Sequence, residues 1–244
     1  SYGVLIEGRD RPPVMLCGHT PPYYLDYMLR YGFVPPRADN IAFAVDIIQE
    51  DPGRQKLARL AHSVRARKQF VVRPANLDDW NAEVERVFYL INRALAHLDG
   101  HMSWQRDALE GLLEPFRKIA DPELVLFADD GDQTVGFFPG IANVNEILIH
   151  INGLRYPWDY VRLLWHMRKQ LECLSIKSVL VLPEYWNTGI AVLLFDEMVK
   201  RAQAKGFKWI DLSLTAADNP ATPILAGRMG GQIYKRYRVY RYEF

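Results

Sequence analysis

V-L-V-L-P-E-Y-W-N-T-G-I-A-V-L, residues 179–193, reads as a short apolar strand that runs through Pro183 into a turn containing Gly189 and straight into a helix. A strand-to-helix turn leaves the first N–H groups of the helix without intrahelical acceptors. Gly189 removes the side chain where a ligand would come nearest the backbone, so main chain and helix dipole together can hold a phosphate-bearing cofactor. Taken alone, the pattern is more often that of an ordinary helix start, and its meaning depends on the residues downstream.

Downstream lie a second apolar strand at 209–215, then Asp218-Asn219-Pro220, a helix, and Gly230-Gly231 ahead of the last strand. In this order the chain resembles the GCN5-related N-acetyltransferase (GNAT) superfamily. That superfamily carries an acyl-CoA motif Gln/Arg-x-x-Gly-x-Gly/Ala and a later signature Asn-x-x-Ala-x-x-Leu-Tyr-x-x-x-Gly-Phe. The first is matched here by Trp186-Asn187-Thr188-Gly189-Ile190-Ala191. The second is matched by Asn219-Pro220-Ala221-Thr222-Pro223-Ile224-Leu225-Ala226-Gly227-Arg228-Met229-Gly230-Gly231. Among the departures, Trp186 stands for Gln or Arg, Ala226 for tyrosine and Gly231 for phenylalanine.

The resemblance implies an α/β (α+β) fold, a mixed, mostly antiparallel sheet flanked by helices. It implies acetyl-CoA or another acyl-CoA as cofactor, held by Trp186, Asn187, Thr188, Gly189, Ile190, Ala191 and Asn219, with Val181 and Leu182 acting through backbone N–H and C=O groups. The activity implied is direct acyl transfer to an unidentified amine, from a small molecule or a lipid. Ala226 bears on that activity, because the tyrosine usual at its position protonates the departing thiolate and alanine has no proton to give. The alternative is a non-catalytic acyl-CoA-binding or regulatory module.

Composition is that of an ordinary globular chain: 244 residues, 49% hydrophobic and 24% charged, with a formal net charge of +1. Such a balance gives no global reason to expect a nucleic-acid partner. Cys17 and Cys173 are too few and too far apart for a disulfide framework or a cysteine metal site, and a reducing, cytoplasmic setting is expected. No apolar run approaches the roughly 20 residues that cross a bilayer, and peripheral membrane contact is left open.

Residues 1–48 read as the closing part of a preceding GNAT-like unit, with strands at 2–6, 13–17 and 41–47 and a helix at 22–30. Intramolecular packing against the rest of that unit is expected. The run Gly18-His19-Thr20 to Gly32-Phe33 resembles the closing helix and Gly-Phe of the same fold. The other reading is an arm that adds strands to the second unit. A linker helix spans 49–68, and a complete GNAT-like domain spans 69–244. Within that domain the periodicity predicts a strand at 70–74, helices at 78–98 and 105–119, a hairpin of strands 124–128 and 134–138 around Asp129-Asp130-Gly131-Asp132, a helix at 190–205, a strand at 208–214, a helix at 221–229 and a strand over 233–244. The aspartates are turn chemistry, since a calcium loop needs greater length and a closing glutamate.

For the chemistry, Asp211 and Ser213 share one strand face by period two, and Asp211 is the expected base. Glu184, beside the phosphate turn, is second. His97, Asp99 and His101 lie in the loop that lines the acceptor pocket in the superfamily, and Asn143 and Asn145 come after the hairpin. No metal is expected, because no further histidine or cysteine stands near the loop trio. An insertion, residues 152–170, interleaves Tyr156, Trp158, Tyr160, Leu163, Leu164, Trp165 and Met167 with Arg155, Arg162, Arg168 and Lys169. Such a segment can cover an acyl chain, rest on lipid, or pack against a preceding unit.

Overall fold

The computed structural model describes residues 3–67, 69–97, 102–151, 153–219 and 222–243. Its strands are β1 (Val4–Glu7), β2 (Asn40–Asp46), β3 (Phe70–Pro74), β4 (Val125–Asp130), β5 (Gln133–Ala142), β6 (Cys173–Ile176), β7 (Leu180–Val181), β8 (Trp209–Ala216) and β9 (Gln232–Arg238). Its helices are α1 (Tyr23–Arg30), α2 (Pro52–Ala66), α3 (Trp80–Ala94), α4 (Arg106–Arg117), α5 (Asn145–Leu148), α6 (Pro157–His166), α7 (Ile190–Ala204) and α8 (Thr222–Arg228). The chain divides into two compact units. One, the α7 unit, comprises Arg54–Ile141 and Ile176–Lys205. The other, the β8 unit, comprises Ser1–Gly53, Ala142–Ser175 and Gly206–Phe244.

In the α7 unit, β3, β4, β5 and β7 pair antiparallel in that order. β4 and β5 close as a hairpin with Asp130 opposite Gln133, and Gly131 takes the left-handed conformation the two-residue loop needs (φ +60°). Helix α7 buries Ile190, Leu193, Leu194, Phe195 and Met198, each contributing about 1.5–3 kcal/mol of transfer free energy. It seats on β5 at Gly136, where a Cβ would come within 3.1–3.3 Å of Leu194, Ile190 and Ala128. Helix α3 turns Val84, Val87, Leu90, Ile91 and Ala94 inward at helical spacing. It also buries Glu83, which accepts from Arg73 at 2.7 Å, Arg86 at 3.0 Å and the Asn76 N–H at 2.8 Å. Burial alone would push the Glu83 carboxyl up, but these donors outweigh it and hold it below the usual carboxylate range.

In the β8 unit the strand order is β1-β9-β2-β8-β6. β2 is the centre of it: Asn40 to Phe43 and Val45 are buried, and the strand pairs antiparallel with β8 on one edge and β9 on the other. Residues 1–48 thus contribute two strands to the sheet formed by β8 and β9. Asp39 locks the arrangement with a bidentate pair to Arg238 at 2.7 and 2.9 Å, and hydrogen bonding to that guanidinium holds the Asp39 carboxyl low. β6 runs parallel to β8, from Cys173 opposite Trp209 to Ser175 opposite Asp211.

Several elements differ from their expected form. Residues 13–17 form a turn, with the Cys17 N–H on the Val14 carbonyl, in place of a strand. The strand expected at 179–182 is β7 alone. The four-residue β6 precedes it, and the backbone between them breaks at Ser178, whose φ is +52°. Helix α3 stops at Ala94, short of 98, and α4 stops at Arg117, just after Pro115 withdraws one backbone donor. β9 ends at Arg238, after which Arg241 bridges to Val34.

Candidate active site

The turn between β7 and α7 folds as a one-turn 3-10 segment (Pro183–Tyr185) that leads into the helix through Gly189. Gly189 is the N-cap of α7 at φ +92°, and no side chain caps the helix. The first amides of this 15-residue helix, from Ile190 onward, have no acceptor within it by helix geometry, and the first intrahelical bond is Leu193 N–H to the Gly189 carbonyl. Acidic side chains are absent from its first turn. Donor amides, the positive helix end and the lack of a competing cap are what an anion such as a diphosphate requires. The Thr188 hydroxyl donates to the Tyr185 carbonyl at 2.7 Å and stiffens the turn, while Asn187 is exposed.

Gly189 has a further reason. A Cβ there would lie 2.6 Å from Cγ2 of Val64, a buried residue of α2. Helix α2 is held along α7 by Arg65, which pairs with Glu197 at 2.9 Å and Asp196 at 3.7 Å. The missing side chain therefore admits a helix as well as the left-handed turn. Gly189→Ala is expected to cost about 2–4 kcal/mol, combining left-handed strain with overpacking against Val64. Urea denaturation checks this, and a loss below about 1 kcal/mol would mean that α2 does not press on the turn.

Around this turn several donors and acceptors are already engaged. The Leu182 N–H donates to the Val135 carbonyl at 3.1 Å and the Leu182 carbonyl accepts from Tyr185, so neither backbone group of this buried residue is free for a cofactor as expected. Val181 turns its carbonyl away from β5, where it accepts from the Trp186 indole at 2.9 Å. The Trp186 ring stands edge-on to His97 at 4.9 Å. Tryptophan in place of Gln or Arg thus braces the strand end. Glu184 pairs with Arg93 at 3.2 Å across an exposed surface, an interaction worth about 0–1 kcal/mol.

Asp211 lies in the β8 unit and is fully buried. Its carboxyl oxygens accept from the Ser175 hydroxyl at 2.5 Å, the Tyr234 hydroxyl at 2.9 Å and the Ser213 N–H at 3.1 Å. Burial and the neighbouring carboxyl of Asp211 hold the Tyr234 phenol proton far above its usual range. Ser213 does not share a face with Asp211 by simple alternation. Its φ is +61°, and the β2–β8 register slips there, so that Ala42 faces Leu214 while Ala44 faces Asp211. The slip is a β-bulge, which turns the Ser213 amide back onto the carboxyl two residues before it. Ala226 is packed in a small core with Ile41 and Phe43, and its methyl side chain carries no proton to donate. Asn219 caps α8, its Oδ1 accepting from the Thr222 N–H at 2.9 Å.

Asn143 is buried with its Nδ2 on the Pro13 carbonyl at 3.2 Å, and it lines a cavity of about 350 Å³ in the β8 unit together with Glu146, His150, His166, Lys169 and Trp209. Asn145 opens α5 and is half-buried, its carbonyl accepting from Ile149. Asp99 and His101 lie outside the described residues. Among the described residues no cluster of three metal-ligating side chains occurs. Ser175 and Val64 carry no local signal in the sequence, being a serine inside Cys-Leu-Ser-Ile and a valine on a basic helix.

The sequence model of the acetyltransferase (GNAT) family matches residues 93–230, more than half of the chain and spanning both the Gly189 turn and the Asn219 helix. The chain belongs to the GNAT family. Its fold is the GNAT fold: the pairings above are antiparallel apart from β6 with β8, and helices flank the strands. A bacterial ceramide synthase of Caulobacter vibrioides is 24% identical over 98% of this chain and 63% of its own length. Among solved structures, a GCN5-related N-acetyltransferase from Sphaerobacter thermophilus superposes with a TM-score of 0.58, at 19% identity over 90% of this chain and 56% of its own. A tandem GNAT protein from the clavulanic acid biosynthesis pathway gives 0.57, at 9% identity over 97% of this chain and 62% of its own. The chain therefore spans less than two thirds of the length of each of these relatives.

Proposed function

We propose that this GNAT chain is an acyl-CoA-dependent N-acyltransferase that moves an acetyl or longer acyl group directly to an amine. The observation that carries the reading is the amino end of α7, a helix that opens on a left-handed glycine with no side-chain cap and no first-turn acid. The amides of Ile190 and Ala191 would hold the cofactor diphosphate, and the Val181 N–H would serve the pantetheine arm. Acyl-CoA supplies the activated carbonyl when bound. The chain's own part is to bind and orient it, and to keep water from the thioester. A lipid amine is the acceptor class we favour, because the similar bacterial ceramide synthase is named for a lipid product. Asp211, held by Ser175, Tyr234 and the Ser213 amide among others, is assigned a positioning role on β8. Residues 1–48 are read as the closing part of a preceding GNAT-like unit, in a cytoplasmic protein.

The core position of Ala226 favours a second reading, a module that binds acyl-CoA without turnover. Calorimetric titration with acetyl-CoA and palmitoyl-CoA, then a free-thiol assay over a panel of amines that includes long-chain amino alcohols, separates the two. Saturable binding with amine-dependent thiol release is expected. Binding without release would establish the module, and no binding would remove both readings.

A further inference from the structure

Helix α6 presents one side to its own unit and the other to solvent. Asp159 and His166 are buried and Leu163 is half-buried. Positioned at 100° per residue, these three fall within about 60° of the helix circumference. The opposite half carries Trp158, Tyr160, Val161, Leu164, Trp165 and Met167, every one of them more than half exposed. Burying such side chains is worth about 1.5–3 kcal/mol each, so a contiguous array of six left in water marks a surface that something covers.

The charges around this face say what. Within residues 153–170 the acidic side chain is Asp159, which is turned inward and accepts the Tyr156 N–H at 2.9 Å. Arg155, Arg162, Arg168 and Lys169 are all exposed, and the Lys169 ammonium sits 4.9 Å over the Trp165 ring. The Tyr156 and Trp158 rings stack at 4.7 Å and 12° beside the amino end of the helix, a preformed aromatic plate. Apolar side chains tipped with tryptophan and tyrosine, bordered by cations that can snorkel, match the boundary between acyl chains and anionic headgroups. A second copy docked through the same face would bring the four cations against their own equivalents. Among the described residues no helix is long and apolar enough to cross a bilayer, so the mode of contact is lateral.

We infer that α6 is a membrane-docking helix, lying in the plane of an anionic lipid surface with Trp158, Leu164 and Trp165 in the headgroup boundary. This goes beyond the transferase reading and does not rest on it. The test is co-sedimentation of the 244-residue chain with vesicles of phosphatidylcholine and phosphatidylglycerol (7:3) and with pure phosphatidylcholine. Binding to the anionic vesicles is expected at 50 mM salt, falling steeply at 500 mM. Trp158→Glu/Trp165→Glu, at exposed positions that leave the core untouched, is expected to lower affinity at least tenfold. Arg162→Gln and Arg168→Gln are expected to lower it about fivefold each, as about 1 kcal/mol per cation implies. A readout on unaltered protein runs alongside: vesicles with brominated acyl chains quench its tryptophan fluorescence, and Trp158→Phe/Trp165→Phe removes most of the quenched component. No binding to anionic vesicles overturns the inference. Binding that survives the glutamate pair, quenching unchanged in the phenylalanine pair, or self-association that the glutamate pair abolishes overturns it equally.

Discussion

Replacing Ala191 by aspartate is expected to weaken acyl-CoA binding about a hundredfold while leaving the fold at least as stable as before. Ala191 is the second residue of α7, half-buried, in a first turn that holds no acid. A carboxylate there accepts from the same unpartnered amides that a diphosphate would use, and it interacts favourably with the positive helix end by about 0.3–1 kcal/mol. For the cofactor the sign reverses. A fixed negative charge at about 5 Å from each diphosphate charge, in surroundings of effective dielectric constant about 20, repels by about 3 kcal/mol per charge before screening, and a hundredfold loss corresponds to about 2.7 kcal/mol. Calorimetry and thermal melting of the same preparation separate the two effects. A variant that binds acyl-CoA as well as wild type would place the diphosphate elsewhere. Gly189→Ala is the less clean probe, since that change disturbs α2 through Val64 and confounds binding with stability.

The second large effect is expected at Asp211. Removing its carboxyl with Asp211→Ala strands the Ser175 hydroxyl, the Tyr234 hydroxyl and the Ser213 N–H, all of which donate to it. Each unsatisfied buried group costs about 1–3 kcal/mol, and partial relaxation brings the sum to about 3–5 kcal/mol, enough to lower the melting temperature by several degrees. Asp211→Asn keeps an acceptor oxygen for Tyr234 and Ser213 and can donate to Ser175, so a loss of only about 1 kcal/mol is expected, with amine-dependent thiol release largely retained. A general base would behave differently. Asp211→Asn would then abolish turnover at every pH while sparing stability, and that result would overturn the positioning role assigned here.

The glycine turn that opens α7 is legible in the sequence because its information is local. A strand, a proline, a glycine and an apolar helix in immediate succession need no distant partner to declare a helix amino end, and α7 begins at Ile190 as the sequence predicts. The same holds for the β4–β5 hairpin, whose Gly131 loop needs only its own residues. The base candidate is less legible. Period two places Asp211 and Ser213 on one face only while the strand is regular, and the bulge opposite Phe43 depends on β2, an element far removed along the chain. β6 escapes sequence reading because four residues, Cys173 to Ile176, are too short for alternation to register, and it becomes a strand through its parallel pairing with β8.

Periodicity, turn chemistry and the amide-rich start of α7 depend on near neighbours along the chain, and so the sequence by itself determined the GNAT order of elements and the uncapped start of α7 at Gly189. The tertiary structure alone decided that Gly189 makes room for Val64, that Trp186 caps the Val181 carbonyl, that Asp211 is held by Ser175 and Tyr234, and that β2 lies between β8 and β9. Each of those depends on atoms brought together from distant stretches or around a turn, and burial and hydrogen-bond satisfaction, which choose among such contacts, are properties of the packed chain.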